Sequence, residues 1–228
     1  MGAIDYTLYL VTDRSLARGR TSVEIVREAV AGGATCVQLR EKNCGTREFL
    51  EEARAIQTAL RGTGVPLIVN DRVDVALAVG ADGVHLGQQD MALADARRLG
   101  PPGWIIGVSA ECVEDAIQAE REGADYLGVS PVFATPTKTD TAHPLGLAGL
   151  RQMRAATKLP LVAIGGIHAG NAREVIRAGA DGLAVVSAIV SADSPREAAG
   201  RLKREIEAAR NYDIYKYHNW LNGAGGGP

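Results

Sequence analysis

Aromatic side chains are scarce, at 4% of the 228 residues, so any sizeable core has to be filled by aliphatic residues. Cysteine is scarcer. Cys36, Cys44 and Cys112 are odd in number and show no C-x-x-C spacing, which argues against a disulfide framework and for a reduced compartment with chemically idle thiols. Neither sign of charge dominates. Twenty-five basic and 27 acidic residues give a net charge of −2, with no broad basic field. That argues against a nucleic-acid partner and means that any phosphate ligand must be held by locally placed groups. No apolar run reaches the roughly 18 residues of a membrane span, so no membrane contact is expected. The start, MGAIDYTLYLVTDRS, lacks a basic n-region and a long apolar stretch and reads as a first strand rather than a signal peptide. A cytoplasmic protein is expected. There is no Ser/His/Asp order and no zinc spacing.

What is present is alternation. Short β-branched runs are each followed by a helical pattern: Leu8–Val11 then Thr21–Ala31, Cys36–Leu39 then Thr46–Arg61, Pro66–Val69 then Val73–Val79, and Gly83–Leu86 then Leu93–Leu99. Trp104–Val108 then Val113–Glu122, Ala124–Val129 then Leu147–Thr157, Leu161–Ile164 then Asn171–Ala178, and Gly182–Val186 then Pro195–Ala209 complete the series. Eight strand–helix units imply a parallel sheet with crossover helices, and eight close naturally into a single (β/α)8 TIM barrel of the α/β class. An open doubly wound sheet is the other architecture compatible with the pattern. The segments GGAT (32–35), GADG (80–83), GADY (123–126) and GADG (179–182) form a weak internal repeat before the even-numbered strands, unless helix-to-strand turns simply favour Gly-Ala-Asp. Residues 1–210 are expected to form the barrel. Residues 211–228, aromatic and then glycine-rich, are expected to be an extension that packs on the outside or frays, with a partner contact as the other reading.

Polar residues gather where these strands end: the run Gln38-Leu39-Arg40-Glu41-Lys42, Asn70-Asp71, Gln88-Gln89-Asp90, Ser109, the loop 130–142, Gly165-Gly166 and Val186-Ser187. In a barrel all of them share the C-terminal face, where active sites lie. Asp71 and Asp90 follow adjacent strands, and two carboxylates without a Cys/His cluster suit a hard cation such as Mg²⁺. Each could instead cap the helix that follows it. Arg40 and Lys42 share a face because extended residues alternate, so both can meet a phosphate. An ordinary ion pair with Glu41 is the plainer alternative. Thr135, Thr137 and Lys138 lie on a long loop suited to binding. Gly165-Gly166 and Val186-Ser187 follow strands seven and eight, a frequent phosphate position in barrels, although tight-turn geometry alone would also explain the glycines. His85, inside the fourth strand, reads as a satisfied barrel residue rather than a base.

The segments LYLVTDR, VQLREK, LIVNDRVDVALAVGADGVHLGQQDM, IIGVSA, GADYLGVSPVFATPTKTD, LVAIGGI and GLAVVSAI run in order across residues 8–190. Together they resemble the thiamine phosphate synthase family. The resemblance implies a (β/α)8 barrel and a transferase. Its reaction joins 4-amino-2-methyl-5-hydroxymethylpyrimidine diphosphate to a 4-methyl-5-hydroxyethylthiazole phosphate, giving thiamine phosphate and pyrophosphate by Mg²⁺-assisted dissociative loss of pyrophosphate. It places Gln38, Arg40, Lys42, Asn70 and Lys138 on the pyrimidine diphosphate, with Leu39 and Glu41 in the same binding segment. It places Mg²⁺ on Asp71 and Asp90, Ser109 near the pyrimidine amine or diphosphate, and Thr135, Thr137, Gly166, Val186 and Ser187 on the thiazole phosphate. Arg40, Lys42, Ser109 and Lys138 would be the catalytic groups. Where family members often carry Thr-His after the fifth strand, this chain has Ala110-Glu111. Two rival functions share the barrel: a thiazole tautomerase and a non-catalytic sensor of a phosphate ligand. A homo-oligomer is left open.

Overall fold

The computed structural model describes residues 4–135 and 143–223, with side chains to residue 211. Its strands are β1 (Leu8–Val11), β2 (Cys36–Leu39), β3 (Leu67–Asn70), β4 (Gly83–Leu86), β5 (Ile105–Ala110), β6 (Tyr126–Val129), β7 (Leu161–Ile164) and β8 (Gly182–Val185). All are parallel, each pairs with the next, and β8 returns to β1 through Leu8–Leu183, Tyr9–Ala184 and Leu10–Val185. The barrel is closed and the open doubly wound sheet is excluded. The helices between strands are α1 (Ser22–Ala31), α2 (Thr46–Leu60), α3 (Val73–Val79), α4 (Leu93–Leu99), α5 (Val113–Glu122), α6 (Gly146–Ala156) and α7 (Ala172–Arg177). After β8 come α8 (Ser187–Val190) and α9 (Pro195–Gly223).

In every strand but β5 and β7 all residues are buried, which is why these runs read as apolar on both faces. One core lies between strands and helices. A second fills the barrel and holds Tyr6, Tyr9, Val11, Cys36, Ile68, Ile105, Tyr126, Val162 and Ala184. Three tyrosines, Tyr6, Tyr9 and Tyr126, thus lie inside the barrel, whereas Phe49 and Trp104 belong to the core between strands and helices. Helix starts follow local chemistry where it is strong: Thr21 and Glu24 form a capping box that starts α1.

The Gly-Ala-Asp repeat has a structural meaning. Asp82, Asp125 and Asp181 accept hydrogen bonds at 2.8, 2.7 and 2.8 Å from the amides of Leu67, Ile106 and Leu161, and Thr35 Oγ1 accepts from Leu8 N at 3.0 Å. Each residue before an even strand therefore secures the beginning of its odd-numbered neighbour, at the N-terminal end of the barrel. Asp125 also takes an ion pair from Arg97 at 2.7 Å. Asp125→Ala leaves the Ile106 amide without that acceptor. It should lower stability by about 1–2 kcal/mol, read as a lower Tm with unchanged turnover, because this end is remote from the polar rim.

Three elements differ from expectation. β5 runs on to Ala110, so Ser109 lies within the strand, paired with Gly128, rather than after it. α8 is an additional short helix immediately after β8. α9 continues through residue 210 to Gly223, because 211–222 contain neither glycine nor proline to stop it.

Candidate active site

A cavity of about 680 Å³ opens at the C-terminal ends of the strands. The structure brings Gln38, Arg40, Lys42, Asn70, Asp71, Asp90, Ser109, Thr135, Gly166, Val186 and Ser187 to its lining. Thr137 and Lys138 lie outside the described residues. The side chains of Leu39 and Glu41 do not line the cavity. The two-residue period that aims Gln38, Arg40 and Lys42 inward turns these two outward. Leu39 is fully buried in the strand–helix core, and the Glu41 side chain sits behind the rim near Arg14.

Asp71 has a positive φ of 60°, in the left-handed region that a residue other than glycine seldom adopts. Its amide donates to the His85 carbonyl at 2.8 Å, and its carboxylate meets Lys42 Nζ at 2.6 Å. Asp90 accepts from the Gly87 amide at 2.7 Å. The helix-capping alternative is not realised for either residue. The caps of α3 and α4 are Arg72 and Ala92, and neither makes a side-chain cap bond. The two carboxylates are neighbours: burial, then a hydrogen bond with Asp71, pushes the Asp90 carboxyl above its ordinary range, against the pull of the Gly87 amide. A Cβ at position 87 would stand 2.8 Å from Asp90 Oδ2, so a side chain there would push that carboxylate aside.

Among the described residues no group of three or more His, Cys, Asp or Glu side chains is arranged to hold a metal. A crowded pair of hard oxygen donors nevertheless fits Mg²⁺, which commonly takes one or two carboxylates and completes its shell with water and substrate phosphate.

The floor of the cavity is a hydrogen-bonded chain that joins Gln38, His85 and Ser109 through Tyr9 and Tyr126, two residues that no local pattern in the sequence marks. Gln38 Nε2 donates to Tyr9 Oη at 3.1 Å, and the Tyr9 and Tyr126 hydroxyls are 2.8 Å apart. His85 reaches Tyr126 Oη through Nδ1 and Ser109 Oγ through Nε2, both at 3.0 Å. Burial pushes both phenols well above their ordinary range, so they stay protonated. His85 is thus the satisfied barrel residue expected, and it also lines the cavity. The one available signal for Tyr9 and Tyr126 was their rarity: buried tyrosines in an aromatic-poor barrel need polar partners.

Across the cavity, Gly165 and Gly166 have φ of 105° and 64°. A Cβ on Gly166 would meet Phe133 Cβ at 2.8 Å and the Ala134 carbonyl at 2.9 Å, so glycine lets the loop after β7 pass beneath the loop after β6. Asn171 holds that turn, donating to the Gly166 carbonyl at 2.9 Å and accepting from the His168 amide at 2.9 Å. Val186 and Ser187 stand beside it on the cavity wall. Gln88, Gln89, Glu111 and His168 also line the space. Gln88 Nε2 donates to the Ser109 carbonyl at 2.5 Å. The result is a cup with cations and paired carboxylates on one side and glycine-rich backbone on the other. It can seat two anionic groups with an organic body between them.

Comparison with known proteins agrees with this architecture. The profile of the family described as thiamine monophosphate synthase matches residues 8–189. The thiamine-phosphate synthase of Albidiferax ferrireducens is 61% identical over 201 residues, covering 88% of this chain and 92% of that protein. That of Chloroflexus aurantiacus is 56% identical, covering 91% and 95%. The solved structure of thiamine phosphate pyrophosphorylase from Pyrococcus furiosus superposes with a TM-score of 0.83 at 45% identity, over 90% of this chain and 98% of that one. A 3-hexulose-6-phosphate synthase, at 18% identity and a TM-score of 0.63, shares the fold alone. A match over most of the chain, at such identity, makes this protein a member of the thiamine monophosphate synthase family.

Proposed function

We propose that this enzyme is a thiamine-phosphate synthase, coupling the pyrimidine diphosphate to the thiazole phosphate with release of pyrophosphate. The observation that carries the reading is the Asp71–Asp90 pair beside Lys42, in the same cavity as Gly166, Val186 and Ser187. Asp71 and Asp90 would hold Mg²⁺, which when bound neutralises charge on the departing diphosphate. Arg40 and Lys42 would contact the diphosphate, joined by Asn70 and by Lys138 from the loop. Ser109, held by His85, would orient the pyrimidine together with Gln38. Thr135, Thr137, Gly166, Val186 and Ser187 would take the thiazole phosphate. The pyrimidine stabilises the carbocation left when the C–O bond to diphosphate breaks, and the thiazole nitrogen then donates its electron pair to form the C–N bond. No strong base is required, which suits a site whose tyrosines and histidine are tied into one network. Electrostatic stabilisation of departing charge is the dominant contribution such a cavity offers.

The expected partners are the two small-molecule substrates. No helix among the described residues is long and apolar enough to cross a membrane, and a cytoplasmic location is part of the proposal. Incubation of the pure protein with both phosphorylated substrates and Mg²⁺ should yield equal amounts of thiamine phosphate and pyrophosphate. Chelation should abolish both products, and added Mg²⁺ should restore them. Conversion of the carboxylated thiazole alone, without metal, would instead indicate a tautomerase, and binding without turnover would indicate a sensor.

A further inference from the structure

Glu41 lies between Arg40 and Lys42 in sequence, but its side chain points behind the barrel rim and is only 7% exposed. Its Oε1 is the one buried side-chain nitrogen or oxygen without a hydrogen-bond partner among the described residues. Such an atom calls for a reason. Its surroundings sharpen the anomaly. Glu48 and Glu52 face it from α2, Asp13 and Arg14 from the turn after β1, and Cys44 from its own loop. Arg14 is committed elsewhere: one nitrogen bonds Glu48, and another bonds Glu52 at 2.5 Å. Only its Nε faces Glu41, at 3.8 Å, too far for a hydrogen bond. Asp13 in turn pairs with Arg40 at 3.7 Å, and the Arg40 amide donates to Thr12 at 3.0 Å. The acidic cluster and the cavity cations are therefore one connected structure across the end of β2.

We propose that Glu41 is a positioning residue for Arg40 and Lys42: as a neutral acid buried behind the rim it leaves undisturbed the backbone from which both reach into the cavity, and its ionisation loosens their hold on an anionic substrate. An isolated buried carboxylate is strongly disfavoured, whereas the neutral acid is tolerated. Burial first, then Glu52, Asp13 and Glu48 push the Glu41 carboxyl up to about 7, while Arg14 pulls the other way. The protonated form is thus favoured by folding. The associated stability is intact below the ordinary carboxylate range and is lost as pH rises through about 7. Once charged, Glu41 competes with Asp13 for Arg40 and is drawn towards Arg14 and solvent. Either movement displaces the strand end that carries the two cations.

This inference rests on the diphosphate lying against Arg40 and Lys42. The test follows KM for each substrate between about pH 6 and about pH 8.5 in the wild type, Glu41→Gln and Glu52→Gln. In the wild type, KM for the pyrimidine diphosphate should rise about threefold across this range, the scale of a partly exposed ion pair lost, with a smaller change for the thiazole phosphate. Glu41→Gln, neutral throughout, should remove that rise. Comparing the two proteins cancels titration of the substrate's own diphosphate. Glu52→Gln removes the largest electrostatic push and frees Arg14, so the midpoint should move to lower pH. Superimposable profiles for the wild type and Glu41→Gln, or an equal rise for both substrates, would overturn the proposal. Calorimetric binding of inorganic pyrophosphate over the same range reads the same cations without turnover. A wild type that makes no thiamine phosphate at any pH defeats the proposed activity, while the pyrophosphate titrations still decide the role of Glu41.

Discussion

Replacing Asp71 or Asp90 by asparagine should lower turnover by more than about tenfold without harming the fold. The two carboxylates enter the cavity from the ends of adjacent strands, and each is held by a local contact that an amide can partly keep. Asparagine at 90 retains an oxygen for the Gly87 amide. Asparagine at 71 retains one towards Lys42, though without the opposite charge. What both variants lose is the double negative charge that suits a divalent ion. Because burial and Asp71 already push the Asp90 carboxyl up, its ionisation works against folding, and a neutral amide there removes that opposition. The Tm of Asp90→Asn without added metal should therefore equal or exceed that of the wild type. Steady-state turnover against Mg²⁺ concentration, set beside thermal unfolding, checks both halves. Near-normal turnover in both variants would defeat the metal assignment, and a large fall in Tm would assign the pair a structural role.

Gly107→Ala should damage stability and catalysis together. Gly107 lies in β5 against the Tyr126 ring. A Cβ there would stand 2.1 Å from Cζ and 2.5 Å from the hydroxyl oxygen. The ring has nowhere to go. Its centroid is 4.7 Å from that of Tyr6, 5.8 Å from Tyr9 and 5.5 Å from His85, and its hydroxyl holds both Tyr9 and His85. Overpacking of this kind costs about 1–3 kcal/mol, and each broken hydrogen bond adds about 1. For a chain of this length that is a fall in Tm on the order of 5–15 °C. Turnover should fall too, because Ser109 is oriented through His85 at the end of the same chain. Pairing the change with Tyr126→Leu should recover part of the Tm, since the clash is with that ring, but not the turnover. A single variant as stable as the wild type would show that β5 and β6 can separate without cost.

The legibility of the site varied with the range of the interaction. Gln38, Arg40 and Lys42 were readable because alternation along one strand is a local rule. The same rule, applied strictly, would have turned Leu39 and Glu41 outward. β5 extends through Ser109, beyond the run its apolar residues predict, because polar residues at a strand's end look like loop until a neighbouring strand supplies the pairing. Asp71 was visible as a residue type, but its left-handed backbone, its bond to Lys42 and its closeness to Asp90 were not. Tyr9 and Tyr126 are 117 residues apart, and no spacing rule links them.

Read alone, the sequence determined eight strand–helix units with strands apolar on both faces, a chain without excess charge, and ordered motifs that mark one family. These follow from near-neighbour periodicity, which any stretch of chain carries within itself. The tertiary structure decided what meets what. Closure of β8 onto β1 turns a row of strand ends into a ring, and the ring sets which buried polar atoms find partners. It seats Ser109 on His85, crowds Asp90 against Asp71, and leaves one oxygen of Glu41 with none.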